Sequence, residues 1–585
     1  MGVPGLVAWL IRKYDKKSII KNNIYDSNSY LFIDGNCLIH PQAKLVCSYN
    51  NHLLKENLEL LEYKIIVQIV NYIKLIIDII NPKKLIYIAI DGVAPMAKIK
   101  HQRLRRFKTI YDIQIKQSIA DKYNIKLEEE WFTASITPGT LFMKKLNNYI
   151  LTWIENSNLK NKIIYSSCYT PGEGEHKILQ YIKKNNFDLM NIIIYGLDAD
   201  LLFLSLASEK KNIYLMREDN MYDKKCQNIS NQFNNSNIEQ KFNYLSIDKL
   251  KYLIVNNIFN LKKNKDKLIN DFVFLCFFCG NDFIPNIPSL NIKPYSYKII
   301  KGLDSIINIY TDIMRLNEKD EYLINIINNS LSINIDVFMK ILEGLKDMEV
   351  QYYHDHYNNF KLKSNQILNI SNSNNNLLQQ EINYYENNII DGYIDNIELG
   401  NPTKSLFEWK KKYYKYYFNI NIKENSKQLD NVLEDYINGL IWTLNYYYDE
   451  CKDYEWYFQY HHGPFISDLY NFIKYNREVI RYYERLYSLN SIRFENRIKP
   501  IEQLLLVLPR ECIRLLPLLY RDIILNKKLD KYFPNILDIK VDYLYKDKAW
   551  QNILMLNIIP PNIILNMTLN IKNDNNILYK EYNFN

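Results

Sequence analysis

Over the first 220 residues, short apolar runs alternate with longer amphipathic ones. SYLFIDGN (29–36), KKLIYIAIDG (83–92), KIIYSS (162–167), NIIIYGLD (191–198) and NIYLMR (212–217) are rich in Ile and Tyr and too short for helices, so they predict strands. Between them, helical periodicity runs over 58–80, 95–122, 140–156 and 174–184. Near-continuous apolar strands separated by helices predict an α/β fold, a central mostly parallel sheet with helices on both faces. The pattern then changes. CQNISNQFNNSNIEQ (226–240) is polar and predicts a loop insertion, while 246–345 reads as helical. SNQILNISNSNNNLLQQ (364–380) is rich in Asn and Ser and predicts a disordered linker or loop. Helical character returns over 404–530, before a short β-like tail, and no regular internal repeat is present. These shifts divide the chain into a first domain at 1–355, a low-complexity linker or loop at 356–403 and a second, mainly helical region at 404–585.

Composition narrows the class. Hydrophobic residues make up 47% of the 585, enough for large cores. No uninterrupted apolar run reaches the roughly 20 residues of a membrane helix; the stretch 65–80 is broken by Gln68, Asn71, Lys74 and Asp78. The start, MGVPGLVAWLIRKYDKK, lacks the basic lead and long apolar stretch of a secretory signal. Leu6 stands where a myristoylation signal has a hydroxyl residue. The eight cysteines are scattered, and Cys276 and Cys279 form the only close pair, inside FVFLCFFCG. With no second pair at zinc spacing they read as buried helix cysteines of a reducing compartment. A net charge of +9 suits a polyanionic partner, though so mild an excess carries little weight alone. Fifty tyrosines amid abundant Asn, Ile and Lys reflect AT-rich coding, so tyrosine abundance says little about base stacking.

Chemistry enters at the strand ends. Ligands of open parallel sheets bind beyond the carboxyl ends of the strands. Three predicted strands end in aspartate: Asp34, Asp91 and Asp198, with Asp200 two residues on. One such aspartate reads most simply as a helix cap; three, each after its own strand, point to a shared site. TPGEGEH (170–176) adds Glu173 and Glu175, whose flanking glycines allow a turn in which both converge. CGNDFIPNIP (279–288) adds Asp282 in an apolar setting, where a carboxylate needs a cation or strong donors. Asp34, Asp91, Glu173, Glu175, Asp198, Asp200 and Asp282 together would repel one another unless metal ions neutralise them. Oxygen-only ligands suit Mg²⁺ or Mn²⁺, and two such ions roughly 4 Å apart serve phosphodiester cleavage.

The stretch DGVAPMAKIKHQRLRRFK (91–108) sets a basic face beside one of these aspartates. Pro95 is predicted as the first residue of a helix. Lys98, Gln102, Arg105 and Arg106 then share one side of it, and Arg103 points elsewhere. Such a face is commonly just solvated. Beginning seven residues after a candidate metal ligand, it reads as a pocket for a terminal phosphate.

With these residues in view, the chain resembles the Xrn-type 5′–3′ exoribonucleases. The resemblance lies in MGVPGLVAWL, IDGNCLIH, DGVAPMAKIKHQRLRRF, ITPGTLFM, PGEGEHKIL, YGLDADLLFLSL and DFVFLCFFCGNDFIPNIPSL, and continues in GLIWTLNYYYDECKDYEWYFQYHHGPFISDL (439–469) and PIEQLLLVLPRE. It implies a PIN/flap-nuclease-like sheet domain and a two-metal Mg²⁺ (or Mn²⁺) site on the seven carboxylates. It also implies a 5′-monophosphate pocket on Lys98, Gln102, Arg105 and Arg106. Base stacking falls on His40 and Trp442, and Pro95 matches a residue that keeps duplex out. The implied partner is single-stranded, 5′-monophosphorylated RNA, degraded processively to nucleoside 5′-monophosphates. The expected setting is a cytoplasmic monomer working with decapping machinery, nuclear and virus-associated compartments remaining open. Met96 departs from a usually basic position, Pro41 from a small polar one, and Leu6 and Val7 from aromatics. Two rivals stand beside this reading. A flap-endonuclease-like DNA nuclease would carry a Gly-rich helix–hairpin–helix where this chain has FIPNIPSLNIKPYS. An inactive RNA-end scaffold would have no need of all seven carboxylates.

Overall fold

The computed structural model describes residues 9–10, 20–21, 29–187, 190–196, 198–218, 242–290, 302–327, 330–364, 377–387, 401, 404–488, 498–543, 549–569 and 571. The insertion expected at 226–240 lies outside them. In chain order the first part comprises β1 (Ile20–Lys21), β2 (Ser29–Asp34), α1 (Gly35–Asn50), α2 (Leu58–Ile80), β3 (Ile86–Ala89), α3 (Met96–Asp121) and α4 (Leu141–Glu155). It continues through β4 (Ile163–Ser166), α5 (Gly174–Lys184), β5 (Asn191–Tyr195), α6 (Asp200–Ala207), β6 (Ile213–Glu218) and β7 (Phe242–Ser246). Then come α7 (Lys265–Phe277), α8 (Gly302–Leu316), β8 (Ile324–Ile327), β9 (Ser330–Ile333), α9 (Ile335–Ser364) and α10 (Leu377–Asn387). The last part holds α11 (Leu406–Phe418), α12 (Ser426–Tyr448), α13 (Ile466–Tyr475), α14 (Glu478–Ser488) and α15 (Pro500–Val507).

Seven strands form one sheet in the order β1-β7-β6-β5-β2-β3-β4. The pairs β2–β3, β2–β5, β3–β4 and β5–β6 are parallel, with Ile33 opposite both Ile88 and Tyr195. β7 lies antiparallel to β6, and β1 antiparallel to β7. The chain leaves β2 for β3 and β4, then returns to β5 on the other side of β2. The β2–β5 boundary is therefore the switch point, with a crevice at its carboxyl end. Alternation along β2 sends Leu31 and Ile33 into a core with α1, α2 and α4. Phe32 faces the opposite core, shared with Ile178 of α5, Leu204 of α6, Phe277 of α7 and Trp442 and Tyr446 of α12. One hydrophobic core thus joins the sheet to the late helices. Among the described residues no helix is long and apolar enough to cross a membrane.

Three departures from the sequence reading have physical causes. β7, FNYLS, is too short and mixed to signal a strand, yet all five residues are buried along the edge of β6. Within 246–345 the hairpin β8–β9 interrupts the helices. It is held by Asp271 of α7, whose carboxylate accepts from the N–H groups of Leu323 (2.9 Å) and Ile324 (2.7 Å) and from the Tyr310 hydroxyl. Third, 377–387, inside the stretch expected as linker, is helix α10 docked on α3. Lys116 pairs with Glu386 at 2.6 Å, Lys122 with Glu381 at 3.0 Å, and the Tyr385 hydroxyl donates to Asp112 at 2.6 Å. The Asn- and Ser-rich composition gives way to good helix formers at Leu377. Residues 365–376 and 388–400 lie outside the described residues.

Asp271→Ala leaves three buried donors without an acceptor. It is expected to lower unfolding stability by at least about 3 kcal/mol, read from the urea midpoint. Glu381→Ala, on the partly exposed α10 contact, is the control and is expected to change it little.

Candidate active site

The carboxylates gather at the crevice beyond β2, β3 and β5. Asp34 occupies the cap position of α1 but makes no side-chain capping bond. Its Oδ2 accepts from the Cys37 thiol at 2.8 Å, and its buried Oδ1 has no donor among the described residues. Asp91, in the loop after β3, accepts from the Gly174 N–H (2.6 Å) and the Asn36 amide (2.8 Å). It thereby satisfies the first N–H of α5 from another segment. A Cβ on Gly174 would stand 2.7 Å from Asp34 Oδ1 and 3.3 Å from Asp91 Oδ1, so only glycine fits between the two carboxylates. Gly172, at φ 102°, turns the chain so that Glu173 sits extended before α5 and Glu175 in its first turn, both buried. The glycines do bring the two glutamates into one site. Glu175, Asp198 and Asp200 each offer an oxygen, all within 4.8 Å of one another. Asp282, 7% exposed, follows α7 and meets Lys98 at 2.7 Å.

So much negative charge out of water perturbs Asp34, Asp91, Glu175, Asp198, Asp200 and Asp282. Burial and Asp91 push Asp34 up to about 7, although the Cys37 thiol opposes this. Burial and Glu173 push Asp91 up to about 6. Burial and Asp282 push Asp200 up to about 7, and burial with Asp198 and Asp200 raises Glu175 well above the carboxylate range. Asp198 and Asp282 go the other way: burial would raise both, but neighbouring positive charge, Lys98 included, outweighs it, and Lys98 with His101 holds Asp282 well below its usual value. Lys98 lies 2.6 Å from Glu173, 2.7 Å from Asp282 and 4.0 Å from Asp200. Among the described residues two buried oxygens, Asp34 Oδ1 and Asp200 Oδ2, accept no hydrogen bond, and they and an all-oxygen donor set fit a hard divalent cation. The cluster can hold a metal.

Sequence reading missed the second half of this constellation. Tyr446 donates its hydroxyl to Glu173 Oε2 at 2.8 Å, and Tyr447 donates to Asp200 Oδ1 at 2.7 Å. Both come from α12, more than 240 residues away in sequence. Their signal is NYYYDE (445–450), discounted because tyrosine is so common in this chain. His101, 3.4 Å from Asp282, and Asn36 were likewise unmarked.

On the basic side, α3 spreads its residues more widely than one face suggests. Pro95 occupies the cap position, at φ −60° and ψ 154°, and the helix starts at Met96. Lys98 is turned into the carboxylates. Gln102 accepts from the Gln503 amide at 3.0 Å. Arg105 is exposed, and Arg106 donates to Thr137 Oγ1 (2.9 Å) and Ile136 O (3.3 Å). Arg103 does point elsewhere, into the late helices, donating to the carbonyls of Leu506 (2.8 Å) and Tyr532. Lys100 donates at 2.6 Å to the carbonyls of Phe458 and Tyr460. His40 sits half-buried; burial and the charges of Arg106 and Arg105 lower its pKa to about 4, so it is neutral. Pro41 continues α1. Trp442 is 1% exposed: its indole N–H donates to Asp453 O at 2.8 Å and its ring stacks on Tyr446. It is a core tryptophan, with no ring face turned to solvent. Where α3 begins, the backbone of half-buried Tyr454 runs past it, its carbonyl accepting the Met96 N–H at 2.8 Å.

Comparison with known proteins agrees with this arrangement. Residues 1–219 match the family described as XRN 5′-3′ exonuclease N-terminus, and residues 262–396 and 359–577 match the Xrn1 helical domain. Human 5′-3′ exoribonuclease 1 is 27% identical over 604 residues, covering 95% of this chain and 33% of its own length. The Schizosaccharomyces pombe 5′-3′ exoribonuclease 1 is 26% identical over 656 residues, covering 95% and 47%. The Candida albicans 5′-3′ exoribonuclease 2 is 25% identical over 711 residues, covering 95% and 71%. The chain therefore spans a third to a half of the first two relatives and more of the third. Matches to both successive parts of the family, sheet and helical, show that the chain belongs to the Xrn 5′–3′ exoribonuclease family.

Proposed function

We propose that this protein is a processive 5′–3′ exoribonuclease acting on single-stranded RNA with a 5′-monophosphate. The observation that carries the reading is the adjoining of two opposite surfaces. Carboxylates from five segments, most of them buried, gather at one crevice; Lys98 of α3 pairs with Glu173 and Asp282, and Gln102, Arg105 and Arg106 follow four, seven and eight residues later on the same helix. The seven carboxylates would hold two Mg²⁺ (or Mn²⁺) ions, which when bound neutralise the cluster and favour hydrolysis of a phosphodiester.

This chain's own residues do the rest. Arg105 and Arg106, with the Gln102 amide, bind the terminal phosphate by charge-assisted hydrogen bonds. That contact sets the first phosphodiester over the carboxylates. Release of a nucleoside 5′-monophosphate leaves a new 5′-phosphate for the same donors, so the strand advances one nucleotide per cycle. Neutral His40, beside the arginines, offers a ring for stacking without adding charge. Because Trp442 is buried, we assign the opposing stacking surface to Tyr454. Pro95 stiffens the entrance beside Tyr454 and disfavours duplex. The pocket takes a monophosphate and resists a triphosphate or cap, which makes decapping machinery the natural supplier of substrate. We take the protein to be a cytoplasmic monomer, its nuclease domain within 1–355 completed by helices from 404–585.

Four versions of one labelled RNA, with 5′-hydroxyl, 5′-monophosphate, 5′-triphosphate or cap, test the reading. Stepwise release of nucleoside monophosphates from the monophosphate form alone, and only with Mg²⁺, is expected. Internal cuts, or equal rates on all four, refute it. Asp198→Ala is expected to abolish hydrolysis while RNA binding persists in a filter or anisotropy assay. Arg105→Ala is expected to reduce monophosphate preference roughly tenfold, the worth of one charge-assisted hydrogen bond.

A pH dependence follows from the raised carboxylates. Folded pKa values near 7 for Asp34 and Asp200 and near 6 for Asp91, above the unfolded 3.8, mean that the folded state binds extra protons between these limits. Without divalent cations, these groups make stability fall as pH rises from about 4 to about 7. Mg²⁺ is therefore expected to raise the melting temperature more at pH 8 than at pH 6. Equal shifts at both values would count against cation binding by this cluster.

A further inference from the structure

Gln503 lies on α15, fully buried at 0% exposure. Its Oε1 accepts the Ala94 N–H at 3.1 Å, and its Nε2 donates to Gln102 Oε1 at 3.0 Å. The polarity of this relay is forced. A backbone N–H can only donate, so the end of Gln503 facing Ala94 must be the oxygen. The other end is then NH₂ and must meet an acceptor. Gln102 therefore turns its carbonyl oxygen to Gln503, which leaves its own NH₂ for other partners. Gln102 is half-buried and precedes Arg105 and Arg106 by three and four residues on α3, the spacing of one helical side.

The helix that carries Gln503 is itself fixed against this site. Gly139, at φ 96°, packs so closely that a Cβ there would lie 2.7 Å from the Pro500 carbonyl. The same loop holds Thr137, the partner of Arg106. Glu502 caps α15 by accepting the Lys499 N–H at 2.7 Å. The late helix thus reaches Gln102 directly and Arg106 through one loop.

We infer that Gln503 is a positioning residue: it fixes the amide orientation of Gln102 so that the phosphate meets a donor and not a carbonyl oxygen. The inference rests on the phosphate-pocket reading above. It gives the C-terminal helical region a direct part in selecting the 5′ end. An unconstrained amide would also sample the flipped state, opposing the phosphate oxygens with a lone pair.

The test compares kcat/KM on one RNA bearing a 5′-phosphate or a 5′-hydroxyl, with Mg²⁺, and uses the ratio as the readout. Gln503→Met, close in volume but without an amide, is expected to lower the ratio roughly five- to tenfold, the worth of one charge-assisted donor. Gln102→Ala is expected to do the same, and the double variant to fall no lower than Gln102→Ala alone, because both remove one relay. Gln102→Glu keeps an acceptor for Gln503, so it is expected to melt with the wild type. It nevertheless presents an anion to the phosphate and should lower the ratio at least as far as Gln102→Ala. This variant decides the matter if Gln503→Met does not fold. A Gln503→Met ratio equal to wild type, additive losses in the double variant, or a Gln102→Glu ratio equal to wild type each overturns the inference, provided Arg105→Ala lowers the ratio. A wild-type enzyme indifferent to the 5′ end, or an Arg105→Ala variant with the wild-type ratio, overturns the pocket reading and this inference with it.

Discussion

Like charges forced together in a low-dielectric crevice are the constraint around which this molecule is organised. A parallel sheet with its switch point at β2 and β5 delivers Asp34, Asp91 and Asp198 to one edge by topology. The fold adds Glu173, Glu175, Asp200 and Asp282 from helix starts and a loop. Without cations, the cluster finds relief in partial protonation, in the Lys98 ammonium, and in donors that include the Gly174 N–H and the hydroxyls of α12. None of these is a full substitute for a divalent ion, since among the described residues two buried oxygens still lack donors. An energetically expensive arrangement of this kind persists only where it has a use.

Helix α3 mediates between this anionic crevice and the rest of the chain. Within nine residues it sends Lys98 into the carboxylates, Lys100 and Arg103 to carbonyls of the late segments, and Arg105 and Arg106 to the side where His40 lies. Successive residues on a helix point some 100° apart, so one helix can address several surroundings at once. The dense basic sequence is therefore several interfaces in series, only one of which faces solvent.

Much of this was legible from residues alone. Helices 58–80 and 174–184 appear with the boundaries that their apolar spacing gives, four strands fall within the Ile- and Tyr-rich runs, and β6 overruns its run by Glu218. The carboxylates were legible because an aspartate at the end of a buried strand has few ordinary explanations. Long-range pairing was not. Tyr446 and Tyr447 are unremarkable in a chain with fifty tyrosines, and only tertiary contact distinguishes them. Trp442 shows the converse. A motif drew attention to it, but the apolar stripe of α12 buries it. Helix α10 was hidden by neighbouring Asn-rich sequence whose composition masked the 11-residue helix beyond it.

Lys100, which burial lowers to about 7, and Arg103, which burial lowers to about 9, are buried basic groups that donate to main-chain oxygens of residues 458, 460, 506 and 532. Such oxygens are supplied by the backbone whatever side chains surround them. Drift in the late sequence can therefore be broad without loosening the grip, provided the path of the chain is kept. Deleting that path would strand two basic groups in apolar surroundings. The junction tolerates rewriting of its letters but not removal of its pages.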